Sequence, residues 1–278
     1  SSVSLPKGLG KIGDSAFSGC SSLASISLPN SIYSLGMGSF QGCTSLKSIA
    51  LPKYVTEIPE QCFSTCSSLK SVSFSEDTER IDGAAFDNCY SLASIFFPEK
   101  VKAILTDAFM RCYALSSITV DPKNTAYKAE NNCLIDIDAK TLILGCFNSV
   151  LPKDGSIEKI GPSAFMRLGI TSVEIPKSVI SIDTSAFFCC ANLSSLSVEE
   201  GSNTYSSVSN CIIEKETKSL VLGCKSSVIP TDGSITKIGD NAFTGASSSA
   251  VTIPEGVTAI GTRVFYSCPQ LESLSLPS

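Results

Sequence analysis

The chain has 278 residues, of which 43% are hydrophobic and 17% charged, with a mean hydropathy of +0.23. That is enough apolar content to bury a core and is not the composition of a disordered segment. There is no histidine and no tryptophan, and Lys+Arg 21 against Asp+Glu 26 leaves a net charge of −5. These values exclude a Ser-His-Asp or Cys-His device, remove the commonest zinc ligand, and give no basic footprint for counterion-driven nucleic-acid binding.

The elements repeat from the first residues onward. Phenylalanine stands at Phe17, Phe40, Phe63, Phe86 and Phe109, 23 residues apart each time. Cysteine follows three positions later (Cys20, Cys43, Cys66, Cys89, Cys112), then leucine (Leu23, Leu46, Leu69, Leu92, Leu115), then an apolar pair such as Ile26 with Leu28 or Ile95 with Phe97. Five residues before each phenylalanine sits Ile12, Leu35, Ile58, Ile81 or Ile104. The unit reads A-F-x-x-C-x-x-L-x-x-I-x-L-P. Its L-x-x-I-x-L segment alternates apolar and polar, the pattern of a short strand with one buried face. The proline after it (Pro29, Pro52, Pro98) lacks a donor and stops the ladder. One such unit cannot bury its own apolar residues; stacked units can.

Beyond Phe109 the spacing changes. Phe165, Phe187, Phe243 and Phe265 follow at gaps of 56, 22, 56 and 22, so a 78-residue block, 110–187, is repeated as 188–265. The added length in each copy predicts a β-hairpin: Cys133-Leu134-Ile135 and Leu142-Ile143-Leu144-Gly145-Cys146 flank the polar turn 138–141, and Cys211-Ile212-Ile213 and Leu220-Val221-Leu222-Gly223-Cys224 repeat them. With two-residue tips, Cys133 falls opposite Cys146 and Cys211 opposite Cys224. Either a cross-strand disulfide or two neighbouring thiols fits that placement.

On these residues the chain resembles the BspA-like leucine-rich repeat proteins, over Val3 to Leu276 with the insertions included. The departures are local: Ser248 replaces the leucine, and Leu168 and Ala246 replace the cysteine. The resemblance implies a leucine-rich repeat solenoid, with a parallel β-sheet on one face, short irregular or 3₁₀ returns on the other, and two hairpin insertions. It implies a cell-surface or secreted location and a part in adhesion to host proteins or other cells. The reading is one solenoid domain over 1–278, of about eleven coils. Val3-Ser4-Leu5-Pro6 and Leu274-Ser275-Leu276-Pro277 share the register of an internal strand, so the chain is expected to be truncated at both ends.

Seven of the thirteen cysteines (Cys20, Cys43, Cys66, Cys89, Cys112, Cys190, Cys268) share one ladder position. One thiol per coil fits neither a disulfide framework nor metal-ligand spacing, and reads as a small buried hydrophobe. No catalytic, cofactor-binding or metal-binding constellation is present, and no P-loop or Rossmann fingerprint follows a strand. The sequon Asn192-Leu193-Ser194 overlaps a core ladder leucine and reads as coincidence.

The candidate ligand-binding residues are those that flank the inward apolar ladder, which the chain paves with small hydroxyls. They are Ser71, Ser73, Ser94, Phe96, Ser117, Thr119 and Glu174, with Phe96 an aromatic in a field of serines. Tyr127 and Tyr205, related by the 78-residue shift in the insertions 121–127 and 199–205, are further candidates; the alternative for both is packing against their own hairpin. The expected function is a non-enzymatic binding or adhesion module for a protein or glycan ligand, without cofactor, nucleic acid or membrane insertion in this segment. The alternative is a structural spacer or scaffold in a larger surface protein.

Overall fold

A computed structural model describes residues 2–276; Pro277, the proline of the last strand register, lies outside the described residues. Packing divides the chain into two compact units, one running to Ala139 and the other starting at Lys140.

In the first unit each 23-residue repeat is one coil with two short strands. The strand expected from L-x-x-I-x-L is there: Ser48–Ala50 pairs in parallel with Ser71–Ser73, and Ser94–Phe97 with Ser117–Val120. A second parallel row was not expected. It is built from Glu57–Ile58, Arg80–Ile81 and Ala103–Ile104, with Lys11–Ile12 paired to Ser34–Leu35 in the same coil position. These two-residue strands place the isoleucine five residues before each phenylalanine inward, and Ile58 and Ile81 are fully buried.

The segment carrying the phenylalanine is expected to be irregular or 3₁₀; the described residues contain no helix there, only turns. The backbone gives the reason. In the first unit, residues two before and two after each phenylalanine of the 23-residue series are left-handed: Gln61 (φ 57) and Thr65 (φ 59) around Phe63, Ala84 (φ 54) and Asn88 (φ 60) around Phe86. A 3₁₀-helix needs negative φ throughout. The alternation also sorts the amide donors. Gln61, Phe63 and Thr65 donate to Gly83, Ala85 and Asp87 of the next coil, whereas Cys62, Ser64 and Cys66 close turns onto Pro59, Gln61 and Phe63. Every second N–H therefore joins coils, and the rest tighten the turn, so no donor in this buried corner is orphaned.

Inside, the phenylalanines form a continuous stack. Ring centroids lie 5.3 Å apart for Phe17–Phe40, 5.5 Å for Phe40–Phe63, 5.3 Å for Phe63–Phe86 and 5.1 Å for Phe86–Phe109. Each stacked pair adds about 0.5–1.5 kcal/mol beyond its buried area. The ladder cysteines complete the corner: the thiols of Cys43, Cys66, Cys89 and Cys112 each donate to the carbonyl of the phenylalanine one coil back, at 3.1–3.3 Å.

The second unit uses the same parts. Thr141–Leu144, Lys159–Ile160 and Ser181–Ile182 run in parallel, as do Ser219–Leu222, Lys237–Ile238 and Ala259–Ile260. Ser172–Ile175 pairs with Ser195–Val198, and Ala250–Thr252 with Ser273–Ser275. Phe165 stacks on Phe187 at 5.2 Å and Phe243 on Phe265 at 5.6 Å. Two glycines stand where a phenylalanine would: Gly145 N–H donates to Ala164 O and Gly223 N–H to Ala242 O, both at 2.8 Å. A Cβ on Gly145 would lie 2.2 Å from Phe165 Cε1, and on Gly223 2.2 Å from Phe243 Cε1. The missing side chain makes room for the ring of the next coil.

Cys211–Glu214 pairs antiparallel with Tyr205–Val208 on one side and Ser219–Leu222 on the other. The second pairing corrects the expected register. Glu214 faces Ser219 and Ile213 faces Leu220, but a bulge then sets Ile212 opposite Leu222. Continued by one residue, this register places Gly223, not Cys224, across from Cys211. Both are free thiols.

Candidate functional site

The outward surface of the longer strand row follows from its period of two. Ile49, Val72, Ile95 and Ile118 point inward and are buried, so Ser48, Ala50, Ser71, Ser73, Ser94, Phe96 and Thr119 are left exposed, and Ser117 is half-buried. In the first unit the structure thus brings Ser94, Phe96, Ser117 and Thr119 onto one paired ladder, with Phe96 directly beside Thr119. Ser71 and Ser73 lie on the adjoining coil, tied in by the Ala93 N–H donating to Lys70 O at 3.2 Å.

Phe96 is 49% exposed although its neighbour Phe97 is fully buried. The inner face is already filled: Phe97 packs edge-on to Phe109 at 5.6 Å and parallel to Phe74 at 6.1 Å, and Phe74 meets Phe86 edge-on at 5.8 Å. The pleat holds Phe96 on the other face. Thr119 turns its hydroxyl back to Ile95 O at 3.2 Å.

Glu174 lies in the second unit, exposed, facing Ser197 across its ladder. Lys153 Nζ sits 2.8 Å from Glu174 Oε2, and that hydrogen bond raises the lysine pKa. Such an exposed pair adds little stability.

The two tyrosines stand apart from this surface. Tyr127 and Tyr205 are 6% and 3% exposed. The Tyr127 hydroxyl accepts the Ile104 N–H at 3.1 Å, and the Tyr205 hydroxyl accepts a bond from the Ile182 backbone. Burial raises both phenol pKa values. Each ring closes the end of a shorter strand row. The preceding loop of the first copy is equally fixed: buried Asn124 donates to Pro98 O and Val101 O, both at 2.9 Å, and accepts from the Ala126 and Tyr127 amides. The polar insertion 121–127 gave no sign in sequence that its one asparagine is an internal clamp.

Cys62 and the buried ladder thiols are held in the protonated form. Burial pushes Cys62 and Cys190 up to about 12 and Cys43 up to about 11, and raises Cys66, Cys89 and Cys112 well above the ordinary thiol value. Nucleophilic or metal-binding cysteine needs the opposite shift.

Compared with known proteins, the sequence matches the family model for the BspA type leucine rich repeat region in six copies, over residues 1–126, 146–212 and 218–278. No curated protein matches it. Among solved structures it is similar to a leucine-rich cell surface protein from Faecalibacterium prausnitzii, at 27% identity and a TM-score of 0.69, covering 100% of this chain and 79% of that one. The pneumococcal vaccine antigen PcpA shares the fold at 20% identity and a TM-score of 0.67, covering 100% of this chain and 62% of PcpA. A leucine-rich repeat protein from Bacteroides ovatus shares it at 21% identity and a TM-score of 0.51, covering 97% and 71%. Among the described residues no helix is long and apolar enough to cross a membrane.

Proposed function

Because the chain belongs to the BspA-type leucine-rich repeat family, we propose that it is a non-enzymatic recognition module of a cell-surface or secreted protein, docking a protein ligand on the outward face of the longer strand row. The observation that carries this reading is Phe96: a half-exposed aromatic ring on a rigid ladder, surrounded by Ser71, Ser73, Ser94 and Thr119. Small hydroxyls let a partner backbone approach closely, and a fixed aromatic supplies a desolvated anchor. The absence of histidine and the protonated thiols support the non-enzymatic part. The Faecalibacterium neighbour, a cell surface protein, supports the location.

The test is a binding screen of the purified chain against extracellular matrix proteins, followed by substitutions in the surface. Phe96→Ala should weaken the ligand at least about tenfold, and Ser73→Trp should block it by bulk, with folding unchanged. A ligand indifferent to both changes, or none for the intact chain, would favour the scaffold reading.

A further inference from the structure

A second cluster lies on the phenylalanine corner of the first unit, away from the strand residues above. Tyr90 and Tyr113 each follow a ladder cysteine and remain 46% and 39% exposed. Their rings stack with centroids 5.6 Å apart and planes within 8°. A chain of hydrogen bonds fixes them. Tyr90 OH donates to Asn88 Oδ1 at 2.8 Å, and Asn88 Nδ2 donates to Asp87 Oδ2 at 2.9 Å. Asp87, only 7% exposed, takes Arg111 in a two-pronged pair, Nε to Oδ1 at 3.0 Å and Nη2 to Oδ2 at 2.6 Å.

The 23-residue register puts Ser21, Thr44 and Ser67 in the same column. The Ala114 N–H donates to Tyr90 O and the Ser68 N–H to Thr44 O, which ties that register down. The column is therefore aromatic at Tyr113 and Tyr90, then stops at the short side chain of Ser67. One face of Tyr90 is covered by Tyr113; the other looks along the column over a hydroxymethyl group.

We propose that this is a saccharide subsite: a neutral hexopyranoside stacks its C–H face on the outer face of Tyr90, in the space above Ser67. Ring C–H bonds are weakly positive and the aromatic face is negative, so the contact is favourable and needs no charge. The hydroxyls at the sugar rim meet Ser67 Oγ and the Tyr90–Asn88 end of the network, both able to accept and donate. Neutrality follows from the Arg111–Asp87 pair: the guanidinium is charge-balanced by the carboxylate that Nε and Nη2 hold, so the corner carries no net charge that would select an ionic ligand. The hydrogen-bonded frame fixes the platform before binding, which lowers the cost of ordering it.

The test uses the whole chain and four probes: methyl β-glucopyranoside, methyl β-galactopyranoside, cellobiose and lactose. Saturation-transfer NMR should show the strongest transfer to the axial ring protons of at least one of them, at sugar concentrations of about 1–10 mM, the range of a single stacking subsite. Tyr90→Ala should lower that affinity about tenfold. Tyr90→Phe, which keeps the ring and loses the hydroxyl, should lower it by a smaller factor. Phe96→Ala should leave it unchanged, which separates this subsite from the strand surface. Circular dichroism checks that Tyr90→Ala is folded; if it is not, Ser67→Leu fills the same space with no aromatic face and without touching the network, and should also block the sugar. Transfer to none of the four probes, or binding that survives both Tyr90→Ala and Ser67→Leu, overturns the proposal. So does a ligand of this corner that proves to be a protein, lost on Tyr90→Ala while every sugar stays unbound.

Discussion

The Sγ of Cys66 lies 3.1 Å from the backbone carbonyl oxygen of Phe40, a residue 26 positions earlier in sequence and one coil away in space. The same oxygen accepts the Cys43 N–H at 3.1 Å. The cysteine is thus both a small core residue and a side-chain donor that staples consecutive coils. Because Phe40 O keeps its amide donor, Cys66→Ala should cost only about 1–2 kcal/mol, from one weak hydrogen bond and a small cavity. A urea titration measures this.

The buried thiols set an alkaline limit. Cys62 and Cys190 are raised to about 12 from an ordinary value near 9. Below pH 9 folded and unfolded chains both hold these protons, and the stabilisation is fully present. Above it the unfolded chain releases them first, so each such thiol removes about 1.4 kcal/mol per pH unit until its folded pKa is reached. Stability should fall steeply from pH 9 upward, and alanine at Cys62 and Cys66 should flatten that slope. Thermal melts from pH 7 to 11 read it directly.

Reactivity should follow exposure. Cys20 is exposed, Cys189 and Cys268 are half-buried, and Cys43, Cys62, Cys66, Cys89 and Cys112 are buried. A thiol reagent at pH 8 should label Cys20 first, and the buried ladder only after denaturation. Mass spectrometry of quenched samples gives the order; early labelling of Cys66 would contradict the burial described.

At Gly223 an added methyl meets the ring of Phe243 at 2.2 Å. Gly223→Ala should destabilise the second unit by about 1–3 kcal/mol through overpacking. Combined with Phe243→Leu, the loss should be smaller than the sum of the two, because the smaller side chain vacates the contested space. A double-mutant cycle in urea tests the coupling.

Thr65 holds φ at 59°, an unfavourable angle for a branched side chain. Thr65→Gly removes a left-handed penalty of about 1–2 kcal/mol and adds about 0.5–1 kcal/mol of chain entropy. It also gives up the hydrogen bond from Thr65 Oγ1 to Ser64 O, worth about 0.5–1.5 kcal/mol, so the expectation is a melting temperature close to that of the parent chain, checked by calorimetry.

The sequence displayed most of what repeats with a side chain attached. Phe63, Cys66, Leu69 and Val72 mark the stack, the thiol ladder and the longer strand row through their spacing alone. What it concealed was carried by the backbone. Arg80–Ile81 is a strand of two residues with one inward side chain, too short to alternate. Gln61, Ala84 and Arg111 all adopt positive φ, yet none is a residue type that announces it. The Cys211 register was misplaced because the bulge between Ile212 and Ile213 has no signature among branched apolar residues. The strand surface was legible, since Phe96 breaks a run of serines. The Tyr90–Tyr113 pair was not, because its partners Asp87 and Arg111 come together only after coiling.

The alternation of amide donors around each phenylalanine has a mechanical consequence. In the first unit the bonds from Gln61, Phe63 and Thr65 reach only the next coil, so tension applied at one end loads a single seam at a time. Each rupture frees one period of 23 residues, which extends by about 80 Å. A coil stack made this way would yield under pull in equal steps, shedding coils while those behind stay wound, and would rewind on the exposed seam once the load is released.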